Sequence, residues 1–146
     1  HCVEVGAAGL PLIIAGTADD AGEDARLKAL AARHRGIRFL GYVDAATRDA
    51  LYALARVFCL PSLHEGTGLA ALEAAAHGAA VVITDRGGPR DYFGELAHYV
   101  RAGETDSIRT ALETAWQAPR SNRLRDHVVN HLSWRQSAKA LLDVYQ

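Results

Sequence analysis

Short apolar runs alternate with stretches of helical periodicity along most of this chain. Leu10-Pro11-Leu12-Ile13-Ile14-Ala15-Gly16 predicts a buried strand that stops at a glycine. Residues 22–34 carry Ala25, Leu27, Leu30 and Ala31 at helical spacing, and Ile37-Arg38-Phe39-Leu40, closed by Gly41, predicts the next strand. Asp44 is placed to cap a helix from Ala45 to about Ala55, with Leu51 and Leu54 on one face. Val57-Phe58-Cys59-Leu60 reads as a third strand, followed by a glycine loop and a helix over Leu69–His77 that Gly78 would end. The β-branched run Ala80-Val81-Val82-Ile83-Thr84 is a further strand. A loop at Asp85-Arg86-Gly87-Gly88-Pro89, a short helix near Arg90–Phe93 and a weak strand at Ala97–Val100 come next. The remainder predicts helices over about Asp106–Trp116, Asn122–His131 and Ser133–Tyr145, the last opened by a capping box of Ser133 and Gln136. Residues His1 to Gly9 read as the tail of a helix.

This alternation, with strands that are almost wholly apolar, predicts an α/β fold: a parallel sheet covered by helices on both faces. Ligands bind such sheets beyond the carboxyl ends of the strands. The loops at 16–22, 41–44, 61–68 and 85–89 are therefore where chemistry is expected.

Composition narrows the picture further. The 146 residues suit one domain and are few for a two-domain enzyme. A formal net charge of −1 offers no broad basic face, so nucleic acid is not an expected partner. Cys2 and Cys59 make no disulfide framework, and Cys59 fits a small core residue in a reducing compartment. No apolar run approaches the roughly 18 residues of a membrane span, so no transmembrane segment is expected in this chain.

The densest chemistry lies in Pro61-Ser62-Leu63-His64-Glu65-Gly66-Thr67-Gly68-Leu69-Ala70-Ala71-Leu72-Glu73. Gly66 and Gly68 permit close approach of backbone to a ligand and positive φ. The amides of Thr67, Gly68 and Leu69 lie where a helix begins, and a helix N-terminus attracts anions. A plain tight turn explains the two glycines equally well. Glu73 sits among apolar residues of a helix whose composition predicts burial, where a carboxylate needs partners, and hydroxyl groups would serve. Glu65 lies in the loop itself. An anion flanked by hydroxyls describes a sugar nucleotide.

The segment FCLPSLHEGTGLAALEAAAHGAAVVITDRGG resembles the signature of retaining GT-B glycosyltransferases of family 4. That signature has a strand, Pro-Ser, Glu-Gly-x-Gly-Leu and a second Glu (an E-x7-E arrangement), then a strand and a Gly-Gly loop. GLPLIIAG, IRFLGYVDAATRDALYALARVF and LSWRQSAKALLDVY resemble further segments of the family, so the likeness runs almost end to end. It implies the Rossmann-like, donor-binding C-terminal domain of a glycosyltransferase, acting on a nucleoside-diphosphate sugar with retention of configuration. Residues 1–146 would be one such domain, closed by a helix at about 133–145.

By that resemblance Glu65 would sit by the donor sugar hydroxyls as the catalytic-site acid, and Glu73 would hold the ribose. Gly66, Thr67, Gly68 and Leu69, with Gly16, would contact sugar and phosphate. Gly41, Tyr42 and Val43 would meet the base. Thr67 stands where the family commonly has an aromatic residue. No cofactor and no metal is implied, and no Asp-x-Asp motif is present. The first strand of the domain, with the Arg and Lys that neutralise the diphosphate, would precede His1, and an N-terminal acceptor-binding domain would be a further part of the enzyme. Neither Lys28 nor Lys139 matches that lysine. The chain alone is then expected to bind donor weakly and to transfer nothing. The whole enzyme is expected in the cytoplasm, with peripheral attachment to a membrane as an option.

Other residues resolve more plainly. His127 and His131, four apart, lack a third ligand for a metal site. Ser62 has no nucleophile-elbow context. Arg86 and Arg90 could supply charge to a cleft or form surface ion pairs, and His64 could touch substrate or water. Trp116 and Trp134 fit helix packing; Tyr92 and Phe93 fit a core edge. Two other readings share these features: a sugar-nucleotide epimerase of the same fold, and a non-catalytic sugar-nucleotide-binding or scaffolding domain.

Overall fold

A computed structural model describes residues 11–17 and 21–145. The expected helical tail at 1–9 and the centre of the 16–22 loop lie outside them. The chain divides between Arg48 and Asp49 into two compact units.

In the first unit, β1 (Leu12–Ala15) and β2 (Ile37–Gly41) pair in parallel, Leu12 opposite Ile37 and Ile14 opposite Phe39. A register shift between Ile14 and Ala15 sets Ala15 against Gly41. The helix α1 (Ala21–Ala31) connects them. Ala31 and Ile37 are buried, with Leu12, Ile14, Leu30 and Phe39 packed around them. The alternate residues point the other way: Ile13 and Leu40 stay 49% and 43% exposed. The unbroken apolar run at β1 predicts burial on both sides; the side chains instead follow the two-residue period of a strand.

The helix α2 (Ala45–Leu54) begins where expected. The Thr47 amide donates to Asp44 Oδ1 at 2.8 Å; the bond with the Thr47 side chain first, and this amide bond second, hold the Asp44 carboxyl below the usual carboxylate range.

In the second unit β3 (Val57–Leu60), β4 (Ala80–Thr84) and β5 (His98–Val100) form a parallel sheet in that order. Val57 lies opposite Ala80, and Val82 opposite His98. The central strand is wholly buried from Val81 to Thr84. Its side chains alternate between two cores. Val81 and Ile83 meet α3 (Leu69–Ala76), α6 (Arg123–His131) and Phe93, through Ala71, Leu72, Ala75, Leu124 and Val128. Val82 meets Val100 and α5 (Thr105–Gln117), through Ile108 and Ala115. Helices therefore cover both faces, and each fully buried aliphatic side chain contributes about 1.5–3 kcal/mol. Phe93, expected at the edge, is fully buried at the end of α4 (Pro89–Phe93). Proline at the first position of α4 has no amide to leave unsatisfied.

Local signals end the helices as anticipated. Gly78, at φ 94°, follows α3; its amide donates to Ala75 O at 2.9 Å, and that of Ala79 to Ala74 O at 3.1 Å. This pair of bonds is the Schellman arrangement. The capping box forms at α7 (Trp134–Val144), where the Ser133 amide donates to Gln136 Oε1 at 3.0 Å. Trp134 departs from expectation: it is 81% exposed and packs into no core. Trp116 is half-buried, and the Arg56 guanidinium lies 5.2 Å from its ring centre. Among the described residues, no helix is long and apolar enough to cross a membrane.

Candidate functional site

The loop after β3 is built against the loop after β4. Glu65 pairs with Gly87 in an isolated parallel bridge. The Glu65 amide donates to Arg86 O at 3.2 Å, and the Gly88 amide donates to Glu65 O at 3.1 Å. Side chains other than hydrogen cannot fit this junction. A Cβ on Gly87 would stand 1.9 Å from Glu65 O, and one on Gly88 would stand 2.6 Å from Gly66 O. The Gly-Gly pair is thus the footprint of one loop on the other. The two adjacent glycines were visible in the sequence, but not what they touch.

The Glu65 carboxylate is held as well. Ser62 Oγ donates to Oε2 at 3.1 Å, and the Gly66 amide donates to Oε1 at 3.2 Å. Beyond it the chain turns into α3 at Gly68, whose φ of 74° and ψ of 50° are left-handed. Gly68 is buried, and a Cβ there would lie 2.9 Å from Ile83 Cδ1. Gly66 differs: its φ is not positive, and a Cβ there would meet nothing within 4 Å. Of the two glycines only Gly68 is required by the turn. No side chain caps α3; the Ala71 amide donates to Gly68 O at 2.9 Å, and the amides ahead of it, those of Leu69 and Ala70, are the ones placed for an anion. Leu69 is 54% exposed at the helix start, and Thr67 is half-buried.

Glu73 corrects an expectation. Helix α3 buries Ala71, Leu72, Ala74 and Ala75, but Glu73 is exposed. An exposed carboxylate incurs no desolvation cost, so burial supplies no argument for a hydroxyl partner. Its place one turn into α3 stands.

In the first unit the structure brings Gly16 and Gly41 together. The Gly16 amide, just past β1, donates to O of Gly41, the last residue of β2, at 2.8 Å. Both have positive φ, 130° and 67°. Tyr42 follows, 81% exposed, and Val43 is half-buried.

The arginines and histidines separate. The Arg90 guanidinium lies 4.1 Å from the Tyr99 ring centre and 3.9 Å from Glu95, so it is engaged at the surface. Burial pushes the Tyr99 hydroxyl up from its ordinary pKa, and it donates to Gly94 O at 2.7 Å. Arg86 is exposed beside Gly87. His127 Nε2 donates to Tyr92 O at 2.9 Å, which makes this ring a tie between α6 and α4. Among the described residues no group of three or more His, Cys, Asp or Glu is placed to hold a metal ion. His64 is exposed, its Cε1 3.2 Å from where a Gly87 Cβ would be.

The family described as glycosyl transferases group 1 matches residues 3–118. This chain belongs to that family. Within it, an uncharacterised glycosyltransferase of Methanocaldococcus jannaschii is 33% identical over 144 residues, covering 92% of this chain and 36% of the relative. A phosphatidyl-myo-inositol mannosyltransferase of Mycobacterium leprae is 32% identical over 120 residues, covering 75% of this chain and 31% of the relative. This group 1 chain thus spans about a third of the length of these curated relatives. The sucrose-phosphate synthase of Thermosynechococcus elongatus superposes with a TM-score of 0.79 at 24% identity, over 98% of this chain and 40% of that one. At that identity the likeness concerns the fold, an α/β, Rossmann-like parallel-sheet arrangement of the GT-B type.

Proposed function

We propose that this group 1 chain is the donor-binding part of a glycosyltransferase that takes a hexose from a nucleoside-diphosphate sugar with retention of configuration. The observation that carries the reading is the Glu65–Gly68 loop. Two main-chain bonds hold it against the Gly87–Gly88 loop, and it delivers the uncapped start of α3. The backbone of Gly66 to Leu69 faces the sugar and phosphate, Glu65 meets sugar hydroxyls, and Glu73 holds the ribose diol. By the family resemblance Gly16 is assigned a phosphate contact, and Gly41, Tyr42 and Val43 contacts to the base. We read residues 1–146, with the closing helix at about 133–145, as a sugar-nucleotide-binding domain.

In the transfer the donor C1–O bond breaks, the diphosphate departs with the electron pair, and C1 bonds to an acceptor oxygen whose proton passes to an oxygen of the departing diphosphate. The loop's part is to position the sugar and stabilise the departing charge. Both acids bind hydroxyls; no metal or cofactor is invoked. The acceptor site belongs to an N-terminal domain outside this chain, and the enzyme works in the cytoplasm or at its membrane face.

Ligand-detected NMR with UDP-, GDP- and ADP-hexoses tests the reading. Binding of one nucleotide class that Glu73→Ala abolishes is the expected result. No binding by the wild-type chain, or equal binding by wild type and variant, would overturn it.

A further inference from the structure

Glu65 is a long, rotamer-rich side chain in a loop, and left free it would sample many orientations. Its backbone is clamped on both sides by Arg86 O and the Gly88 amide. Its carboxylate is clamped too: Oε2 accepts from Ser62 Oγ at 3.1 Å and Oε1 from the Gly66 amide at 3.2 Å. A carboxylate offers about four acceptor positions, so two remain for a ligand. The Gly66 amide is a neighbour along the chain and fixes only the near oxygen. Ser62, three residues earlier in the loop and two past the end of β3, fixes the other.

We propose that Ser62 is the positioning residue for Glu65, setting the carboxylate plane so that its unused lone pairs meet donor-sugar hydroxyls. The proposal rests on the reading that Glu65 faces the sugar, and it assigns Ser62 no contact with the ligand. A hydroxyl that donates to Glu65 without touching the nucleotide has a distinctive consequence. Its loss weakens binding of the sugar moiety and leaves the nucleoside diphosphate alone.

The test uses the same chain with Ser62→Ala and Ser62→Thr. In the ligand-free protein, side-chain three-bond couplings of Glu65 should report one fixed χ1 in wild type and in Ser62→Thr, and averaged values in Ser62→Ala. Against the UDP-, GDP- and ADP-hexose panel and the matching diphosphates, Ser62→Ala should bind the preferred sugar nucleotide about tenfold more weakly, the scale of a hydrogen bond to a charged group. Its affinity for the diphosphate should stay within about twofold, and Ser62→Thr should restore both values. Fixed couplings in Ser62→Ala, or an equal loss for both ligands, would overturn the proposal. If the wild-type chain binds nothing in the panel, the donor-binding reading fails, and the couplings alone decide whether Ser62 orients Glu65.

Discussion

Gly87 lies so close to Glu65 that a methyl group on its Cα would stand 1.9 Å from the Glu65 carbonyl oxygen. The contact is backbone on backbone, so no side-chain rotation can relieve it. Gly87 also has φ 95°, a region that costs other residues about 1–2 kcal/mol. Gly87→Ala should therefore lower unfolding stability by more than about 2 kcal/mol in urea. Gly103→Ala is the comparison, because Gly103 has φ 84° but open space around it. It should cost only the conformational term, about 1–2 kcal/mol. Equal losses would mean that the loop yields at Glu65.

Gly66 and Gly68 should behave oppositely. Gly68→Ala meets Ile83 Cδ1 at 2.9 Å in a left-handed conformation and should cost about 1–3 kcal/mol. Gly66→Ala has neither obstacle and should leave stability within about 0.5 kcal/mol. Any loss of nucleotide-sugar affinity in Gly66→Ala then reports ligand contact directly. Unchanged affinity would remove Gly66 from the site.

Asp44 ties the start of α2 to pH. Its carboxyl is held below the usual range in the folded chain by Thr47, so the folded state favours the charged form. The contribution is complete above the ordinary carboxylate pKa, near pH 4, and is lost as pH falls through the lower folded value. Thermal stability of wild type should fall across that interval more steeply than that of Asp44→Asn, which keeps a capping side chain without the charge. Parallel pH profiles for the two would count against this account.

Arg56 fastens the end of α5. Nε donates to Trp116 O at 2.7 Å and a terminal nitrogen to Ala118 O at 3.2 Å. A cation at a helix C-terminus also meets the negative end of its dipole. Arg56→Ala should destabilise by about 1–3 kcal/mol in chemical denaturation. Arg56→Lys should recover less than half of that, since an ammonium cannot span both carbonyls as the planar guanidinium does.

Legibility differed between features for physical reasons. The stop at Gly78, the cap at Asp44 and the Ser133–Gln136 box each involve residues within five positions of one another, so local chemistry announced them. Strand β4 was plain because a β-branched run suits a central strand. The outward turn of Glu73 was missed because it depends on which side of α3 meets β4 and α6. The exposure of Trp134 was missed for the same kind of reason. Apolar character marks a candidate for burial, while burial needs a partner surface.

The amino-acid sequence by itself determined the order and type of the elements and the places where glycines and acids gather at strand ends. Periodicity and capping act over a few residues, and those are printed in the chain. Only the tertiary structure decided that Glu65 would be gripped by Gly87 and Gly88, 22 and 23 positions away, and that Arg56 would close on Trp116, 60 positions away. Those contacts depend on how β3, β4 and α5 pack, and packing joins residues whose separation along the chain carries no signal of their meeting.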